Sequence, residues 1–383
     1  MIKLIITSLT YIIILFNCNS LVAEEPGLKV GLLAPFSGEH KDLGQSLLLS
    51  TQLALNEIND DKVKIIPRDS GSNNKEKLNL AIKDIESMGA KIIIGPISSD
   101  YSEELKKYKN IIFISPSNIE PVISNNLINI GISLESQLNA LKKFMIEQKR
   151  KKTIVMYPKN EYEKLIDEKI KTSELKNFKV FKYSPDPKLL TGEIEKLTNY
   201  AQRKRNLEIR KKLLEKKDDE NSKRELIKLE ELYTLGKVNF DSIIVIDFGS
   251  SLKSVLTSLV FSDVDDEKVM FTTVNQWFDQ SIFFENSVKN LYFPSVNLEE
   301  FKKYNENYFQ TFGIQPQEIT ILAYDALGLI YYVWKKNNGI NSINDFYIKE
   351  KIKGKIGTFQ FKNNKVLQEL KIYKSVNKSF KEN

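Results

Sequence analysis

The feature that most constrains this chain is the alternation of short β-branched runs with longer stretches of helical periodicity. Such alternation is typical of parallel α/β units. The predicted strands are 29–33, 63–67, 91–94, 111–114, 153–157, 179–182, 242–246 and 269–273. The predicted helices between them are 44–58, 75–88, 102–108, 136–148, 161–175 and 252–261. Ile and Val fill the strands almost without alternation, as expected when helices cover both faces of a sheet.

The units fall into two sets, one before about residue 132 and one after residue 134. The chain has 383 residues, which is long for one core and suits two domains. After the second set, the sequence predicts an aromatic-rich helix over 299–312, a long apolar helix over 317–334 and a β-hairpin near the C-terminus.

The N-terminus has the pattern of a secretory leader. Residues 1–3 form a short segment with one basic residue, Lys3; residues 4–16 are mostly apolar, and residues 17–23 form a more polar segment that ends in Ala23. This favours a signal peptide over residues 1–23, cleaved before Glu24, and a periplasmic location. The alternative is a lipoprotein anchored at Cys18, the only cysteine. Cleavage at Ala23 would leave no cysteine for disulfides or thiol catalysis.

The sequence gives little support for an enzymatic function. His40 is the only histidine, so no triad or metal site built on several histidines is available. Neither the phosphate-binding pattern Gly-x-x-x-x-Gly-Lys nor the dinucleotide pattern Gly-x-Gly-x-x-Gly occurs. We expect a non-enzymatic protein without cofactor or metal. The net charge of +7 is modest for this length, and no nucleic-acid partner is expected.

Residues 203–231 interrupt the alternation with eleven Lys/Arg and eight Asp/Glu. Leucines recur among these charges, and residues 218–222 read as a turn, so the segment predicts an inserted helical hairpin. It is interpreted either as a solvated hairpin that adds little to a core or as a docking surface for a partner.

Several motifs together resemble the type I periplasmic binding proteins, the leucine/isoleucine/valine-binding group. The first strand and loop at 30–44 are similar to the family's opening motif. The loops at 92–99, 112–117 and 157–162 and the closing pattern at 354–361 follow in the family's order. The finer resemblance is to penicillin-binding protein activators, which share the inserted charged segment and the patterns at 240–245, 273–279 and 323–326.

This resemblance implies two Rossmann-like, doubly wound lobes joined by a three-segment hinge. Lobe 1 would comprise 28–132 and 278–345, and lobe 2 would comprise 133–277 and 346–378, with the hairpin 203–231 inserted in lobe 2. The chain would cross between lobes near 132, 275–280 and 342–353. A small ligand would bind between the lobes, in contact with Ser37, Leu43, Ser99, Ser117, Asn118, Tyr162, Phe248 and Trp277.

The chain departs from the family where amino-acid binders hold the ligand's ammonium group. Ile119 replaces a threonine, no acidic residue occurs at 274–275, and Glu163 replaces a glycine. An unpaired buried ammonium is costly, which argues against a free branched-chain amino acid. Two functions stay open: a solute receptor for an ABC permease, and an envelope protein that regulates a peptidoglycan synthase. Membrane attachment is expected only if Cys18 is lipidated.

Overall fold

The computed structural model describes residues 27–98, 101–118, 125–173, 175, 178–276, 281, 283, 289–355, 357–362, 365–376 and 379–383. The predicted signal peptide, Cys18, Ser99, Ile119 and Trp277 lie outside these residues. Among the described helices, none is both long enough and apolar enough to cross a membrane.

The first sheet has eight strands in the order β11-β12-β13-β5-β4-β3-β1-β2. Its parallel part consists of β1 (Leu28–Ala34), β2 (Val63–Asp69), β3 (Ile92–Ile94), β4 (Ile112–Ser115) and β5 (Leu127–Asn129). Its other three strands are β11 (Ile352–Lys353), β12 (Thr358–Lys362) and β13 (Lys365–Glu369). Helices α1 (Lys41–Ile58), α2 (Lys75–Ser87) and α3 (Ser102–Leu105) connect the parallel strands.

The second sheet has seven strands in the order β15-β14-β10-β9-β8-β6-β7. They are β6 (Thr153–Pro158), β7 (Lys179–Tyr183), β8 (Ser242–Val245), β9 (Met270–Thr273), β10 (Leu291–Ser295), β14 (Lys371–Val376) and β15 (Ser379–Glu382). The accompanying helices are α4 (Leu134–Glu147), α5 (Glu163–Thr172), α6 (Pro187–Leu197), α7 (Tyr200–Glu215), α8 (Glu220–Glu230) and α9 (Gly249–Phe261).

Helices cover both faces of each sheet, as the nearly unbroken apolar strands predict. Along β1, Val30 and Leu32 enter one buried cluster while Leu33 enters another on the opposite face. In the second sheet, Met156 and Val155 divide between two clusters in the same way. The doubly wound α/β architecture is confirmed.

Two late helices complete the first lobe, α10 (Leu298–Phe312) and α11 (Ile321–Asn337). Their apolar side chains belong to the same buried cluster as those of α1 and β1. Polar contacts join them as well, because Ser50 Oγ donates to Thr320 O at 2.6 Å and Tyr304 OH donates to Ser50 Oγ at 2.8 Å.

The lobe boundaries differ from the prediction at two places. Strand β10 lies within 278–345, which was assigned to lobe 1, yet it pairs with β9 and β14 in the second sheet. Its Phe293 stacks on Phe283 with ring centroids 3.9 Å apart. The hairpin β12–β13 was assigned to lobe 2, yet it joins the first sheet, where Phe359 and Val366 are buried. Burial of these side chains decides the lobe to which each segment belongs.

The chain therefore crosses between the sheets three times, but not at the predicted second and third positions. The crossings lie between Asn129 and Leu134, between Ser295 and Leu298, and between Glu369 and Lys371. The prediction of a three-segment hinge is confirmed. The second and third crossings occur about twenty residues later than expected because each preceding strand stays paired in its own sheet.

The charged insertion forms the antiparallel pair α7 and α8 with a small core of Leu207, Leu214 and Leu229. Asp219 begins α8, since its side chain accepts a hydrogen bond from Ser222 N at 2.9 Å. The hairpin's leucines form a cluster separate from the second-lobe core, as expected, but polar contacts that were not predicted anchor its base. Arg203 is 5% exposed and joins the hairpin to the second lobe through a set of hydrogen bonds.

Candidate functional site

The first-lobe edge of the candidate site is formed where β1 and β2 end. Asp69, the last residue of β2, accepts hydrogen bonds from Phe36 N at 2.9 Å and from Gly71 N at 2.8 Å. Lys77 Nζ lies 2.5 Å from Asp69 Oδ2 and donates to Ser37 Oγ at 2.8 Å. Ser37 is thus joined to a half-exposed lysine that sequence reasoning did not identify.

Hydrogen bonding keeps the Asp69 carboxylate of this cluster ionised. Burial by itself would raise the pKa of Asp69, but hydrogen bonds from Lys77, Ser37 and two backbone amides lower it to about 2. Asp69 is therefore ionised at neutral pH. The cluster presents one side-chain cation and one hydroxyl at the carboxyl end of the first strands, where ligands bind in open α/β sheets.

Leu43 and His40 begin the next helix and have different environments. Leu43 is partly buried and packs on the first-lobe core, while His40 is exposed. Gly44 follows in close contact with the preceding loop, because a Cβ atom there would lie 2.1 Å from Pro35 O. The glycine lets α1 approach the loop that carries Ser37. Leu43 therefore supports the loop from the core side.

Ser117 and Asn118 lie against the first hinge segment. Asn118 Oδ1 accepts a hydrogen bond from Ile132 N at 2.8 Å. Ser117 is 2% exposed. A Cβ atom at position 131 would lie 1.5 Å from the carbonyl oxygen of Ser117, so the two segments can pack this closely only with Gly131 there. The hydrogen bond from Ile132 N holds the chain at its crossing between the lobes and occupies the amide oxygen of Asn118.

The second-lobe edge carries two exposed aromatic side chains. Tyr162 precedes α5 and is 56% exposed, and Phe248 precedes α9 and is 57% exposed. They follow β6 and β8, which are adjacent parallel strands, so both lie at the carboxyl edge of the second sheet. Large exposed aromatic side chains at such an edge can cover the apolar or ring portion of a ligand.

A buried polar network fixes the backbone beneath Phe248. Asp247 is 6% exposed, and its carboxylate accepts hydrogen bonds from Tyr183 OH at 2.5 Å, Ser251 Oγ at 2.6 Å and Phe248 N at 2.8 Å. Gln276 Nε2 donates to the carbonyl of Asp247 at 3.0 Å. Burial and the neighbouring Asp247 carboxylate raise the pKa of Tyr183, which keeps that hydroxyl a donor.

Asn275 takes part in the hinge. Its backbone N–H donates to Gln137 Oε1 at 2.7 Å, and its Nδ2 donates to Ser295 Oγ at 2.9 Å. The acidic side chain buried at this edge is Asp247, whose oxygens already accept three hydrogen bonds. Sequence reasoning missed Asp247, although its place directly after an apolar strand was a usable signal. Among the described residues, no cluster of His, Cys, Asp and Glu is suited to a metal ion.

Comparison with known proteins agrees with this architecture. Residues 27–174 match the sequence model of a family described as periplasmic binding protein. The chain has the fold of the type I periplasmic binding proteins. The fold inferred from the sequence motifs is confirmed, and the family model matches the first part of the chain.

Solved structures of this fold match nearly the whole chain at low sequence identity. A structure from Rhodospirillum rubrum, assigned to a branched-chain amino acid ABC transporter, has a TM-score of 0.70 at 12% identity and covers 93% of this chain and 100% of its own. The substrate-binding protein LivJ from Streptococcus pneumoniae, in complex with isoleucine, has a TM-score of 0.53 at 16% identity and covers 92% and 97%.

The C-domain of LpoA from Haemophilus influenzae, described as a regulator of PBP1A, has a TM-score of 0.61 at 11% identity and covers 93% of this chain and 99% of its own. The search of curated proteins found no match. Transport-associated and regulatory proteins thus share this chain's fold, so the choice between functions depends on the site.

Proposed function

We propose that this protein is a non-enzymatic, extracytoplasmic solute-binding protein whose two lobes close on a small polar ligand. The observation that carries the proposal is the pair of exposed aromatic side chains, Tyr162 and Phe248, at the carboxyl edge of the second sheet. In a soluble domain, exposed aromatic groups at a sheet's ligand-binding edge are typical of a binding surface.

The two edges offer different chemistry to such a ligand. The first lobe supplies Ser37 and the half-exposed Lys77, which pairs with Asp69 and has a further N–H to donate to a carboxylate or another anionic group. The second lobe supplies Tyr162 and Phe248, which suit an apolar or planar portion. Together with the predicted contributions of Ser99 and Trp277, this chemistry fits an amino acid-like or peptide-like ligand. The buried carboxylate of Asp247 is already hydrogen-bonded, and this disfavours a free branched-chain amino acid whose ammonium needs a new partner.

A thermal-shift screen of amino acids, short peptides and muropeptides tests this proposal. A ligand at one hundred times its Kd stabilises the folded state by about 2.7 kcal/mol, which is readily measured. With a ligand identified, we expect Phe248→Ala to weaken binding at least about fivefold, since aromatic anchors contribute more than about 1 kcal/mol.

The matched control is Phe261→Ala, because Phe261 is the last residue of the same helix and is 73% exposed. Its affinity should stay within about twofold of the parent. Equal loss in both variants would show that the aromatic edge is not the binding surface. Strong stabilisation by leucine or isoleucine would contradict the ammonium argument.

The second candidate is an envelope protein that regulates a peptidoglycan synthase. The similarity to the LpoA C-domain favours it, as does the hairpin α7–α8, which carries exposed Ile209, Leu213 and Ile227. If the screen yields no ligand, co-purification with a peptidoglycan synthase should depend on these side chains. Replacing all three with Ser should abolish co-purification while leaving the melting temperature nearly unchanged.

A further inference from the structure

An open groove of about 560 Å³ lies at the hinge, away from the candidate cleft. One wall is helix α4, which packs in the second-lobe core, and another is the segment 351–358, which leads into the first-lobe hairpin. None of Ser37, Ser117, Tyr162 and Phe248 lines it. Its volume is in the range of small-molecule sites. We call it the hinge groove.

Lysines outnumber carboxylates in the lining of the hinge groove. Five lysines and two glutamates line it, an excess of three positive charges. The lysines are Lys143, Lys351, Lys353, Lys355 and Lys371. They come from both lobes, because Lys143 belongs to α4 and Lys371 to β14, whereas the other three precede the first-lobe hairpin.

The ion pairs in the hinge groove are exposed and therefore weak. Lys371 pairs with Glu382 at 2.7 Å with both side chains more than 40% exposed. Lys143 is 80% exposed and lies 3.8 Å from Glu147. Exposed pairs of this kind contribute little free energy, so an incoming anion can replace their carboxylates. The lysines therefore lie at the groove and can exchange their present carboxylate partners for an incoming anion.

The floor of the groove has a buried acceptor that no described residue satisfies. Gln368 is 8% exposed; its backbone N–H donates to Ser136 Oγ and its Nε2 donates to Ile130 O, both at 3.0 Å. Its Oε1 has no hydrogen-bond partner among the described residues. A cavity of about 10 Å³ that Gln368 shares with Asp325 is large enough for about one water molecule, which would donate to this oxygen.

We propose that the hinge groove binds a small polyanion bearing phosphate or several carboxylate groups. Lysines recognise such groups as point charges, and five of them around one groove concentrate the positive potential. Because Lys143 and Lys353 come from different lobes, a bound polyanion stabilises the lobe arrangement in which both contact it. The groove then couples anion binding to the lobe angle and, if the lobes close on a ligand as proposed, to ligand binding in the cleft.

Titration calorimetry of the full chain with inorganic pyrophosphate, and separately with citrate, tests the proposal at constant ionic strength. We expect saturable binding of at least one of them at a single site. The double variant Lys143→Gln/Lys353→Gln should weaken it about 10- to 100-fold, since each lysine supplies a charged hydrogen bond. Both side chains are exposed, so the variant is expected to fold normally.

The control is Lys64→Gln/Lys188→Gln, which removes the same charge from exposed positions outside the groove. Its affinity should stay within about twofold of the parent. Equal weakening in both variants, or no saturable binding of either anion, would overturn the proposal. Small-angle X-ray scattering should change when the anion is added to the parent and stay constant in the groove variant. Binding without a change in scattering would refute the coupling to the lobe angle.

Discussion

Arg203 is the residue whose replacement tests most sharply how the inserted hairpin is held. Its guanidinium donates to Thr198 O at 3.0 Å, to Thr234 Oγ1 at 2.9 Å and to Asp263 O at 3.1 Å, and it also contacts Ser262 O. Burial lowers the pKa of Arg203 and the Asp263 carboxylate opposes that shift, so the group stays charged. One side chain therefore satisfies acceptors from three separate segments of the second lobe.

The variant Arg203→Met keeps most of the side-chain volume and removes every donor. Three backbone carbonyls and one hydroxyl then lose their partner, and each stranded buried acceptor costs about 1–3 kcal/mol. Water can re-enter part of the site. We therefore expect the free energy of unfolding to fall by about 3–5 kcal/mol in total, the range seen when a buried charged group is removed from its network.

Urea denaturation followed by circular dichroism measures this change. The control is Arg205→Met in the same helix, where the side chain is exposed and the expected change is below about 0.5 kcal/mol. A loss of less than about 1 kcal/mol in Arg203→Met would refute the conclusion that the hairpin is anchored through this residue. The hairpin could then be removed at its base without harm to the second lobe.

Two further predictions concern the first lobe. The pKa of Asp69 is lowered from 3.8 to about 2, so its contribution of about 2 kcal/mol is present above pH 4 and is lost as the pH falls towards 2. Asp69→Asn should remove that part of the acid dependence of the unfolding free energy, and an unchanged acid profile would contradict the cluster with Lys77. Gly44→Ala should destabilise the protein by about 1–3 kcal/mol because its Cβ would meet Pro35 O. The control is Gly192→Ala in α6, where the added Cβ atom meets open space, so this variant should stabilise the protein by about 0.5–1 kcal/mol. Equal effects of Gly44→Ala and Gly192→Ala on thermal unfolding would refute the argument that α1 approaches the loop closely.

The strands were predictable because their signal is local. All eight predicted strands agree with the observed bounds to within two residues, since continuous β-branched runs leave few alternatives. Strand β5 was missed because its apolar residues, Leu127 and Ile128, lie between asparagines, and β10 was missed as well. Helix α6 was also missed, although Asp186 and Pro187 form a recognisable start in which the Asp186 side chain accepts from Lys188 N at 2.9 Å.

The partners of isolated strands were not predictable from local pattern. Whether β10 or the hairpin β12–β13 belongs to a given sheet depends on which long-range pairing buries more apolar surface. The same limit applies to the site. Ser37 and Phe248 were identified through the family resemblance, but the pairing of Asp69 with Lys77 and of Tyr183 with Asp247 requires segments to meet in space. Sequence spacing alone carries no such information.

The hinge contacts change how substitutions at Asn118, a predicted site residue, and at Asn275 should be interpreted. Asn118 Oδ1 accepts from Ile132 N, and Asn275 N donates to Gln137 Oε1, so both residues hold chain segments at or beside the crossings. A substitution at either position alters the geometry with which the lobes meet, and any loss of affinity would follow from that change. Phe248 and Lys77 are different, because their side chains are substantially exposed at the sheet edges. Variants at these two positions therefore test the proposed ligand contacts without altering the hinge, although a Lys77 variant also removes the ion pair with Asp69, whereas variants of Asn118 and Asn275 report on the hinge.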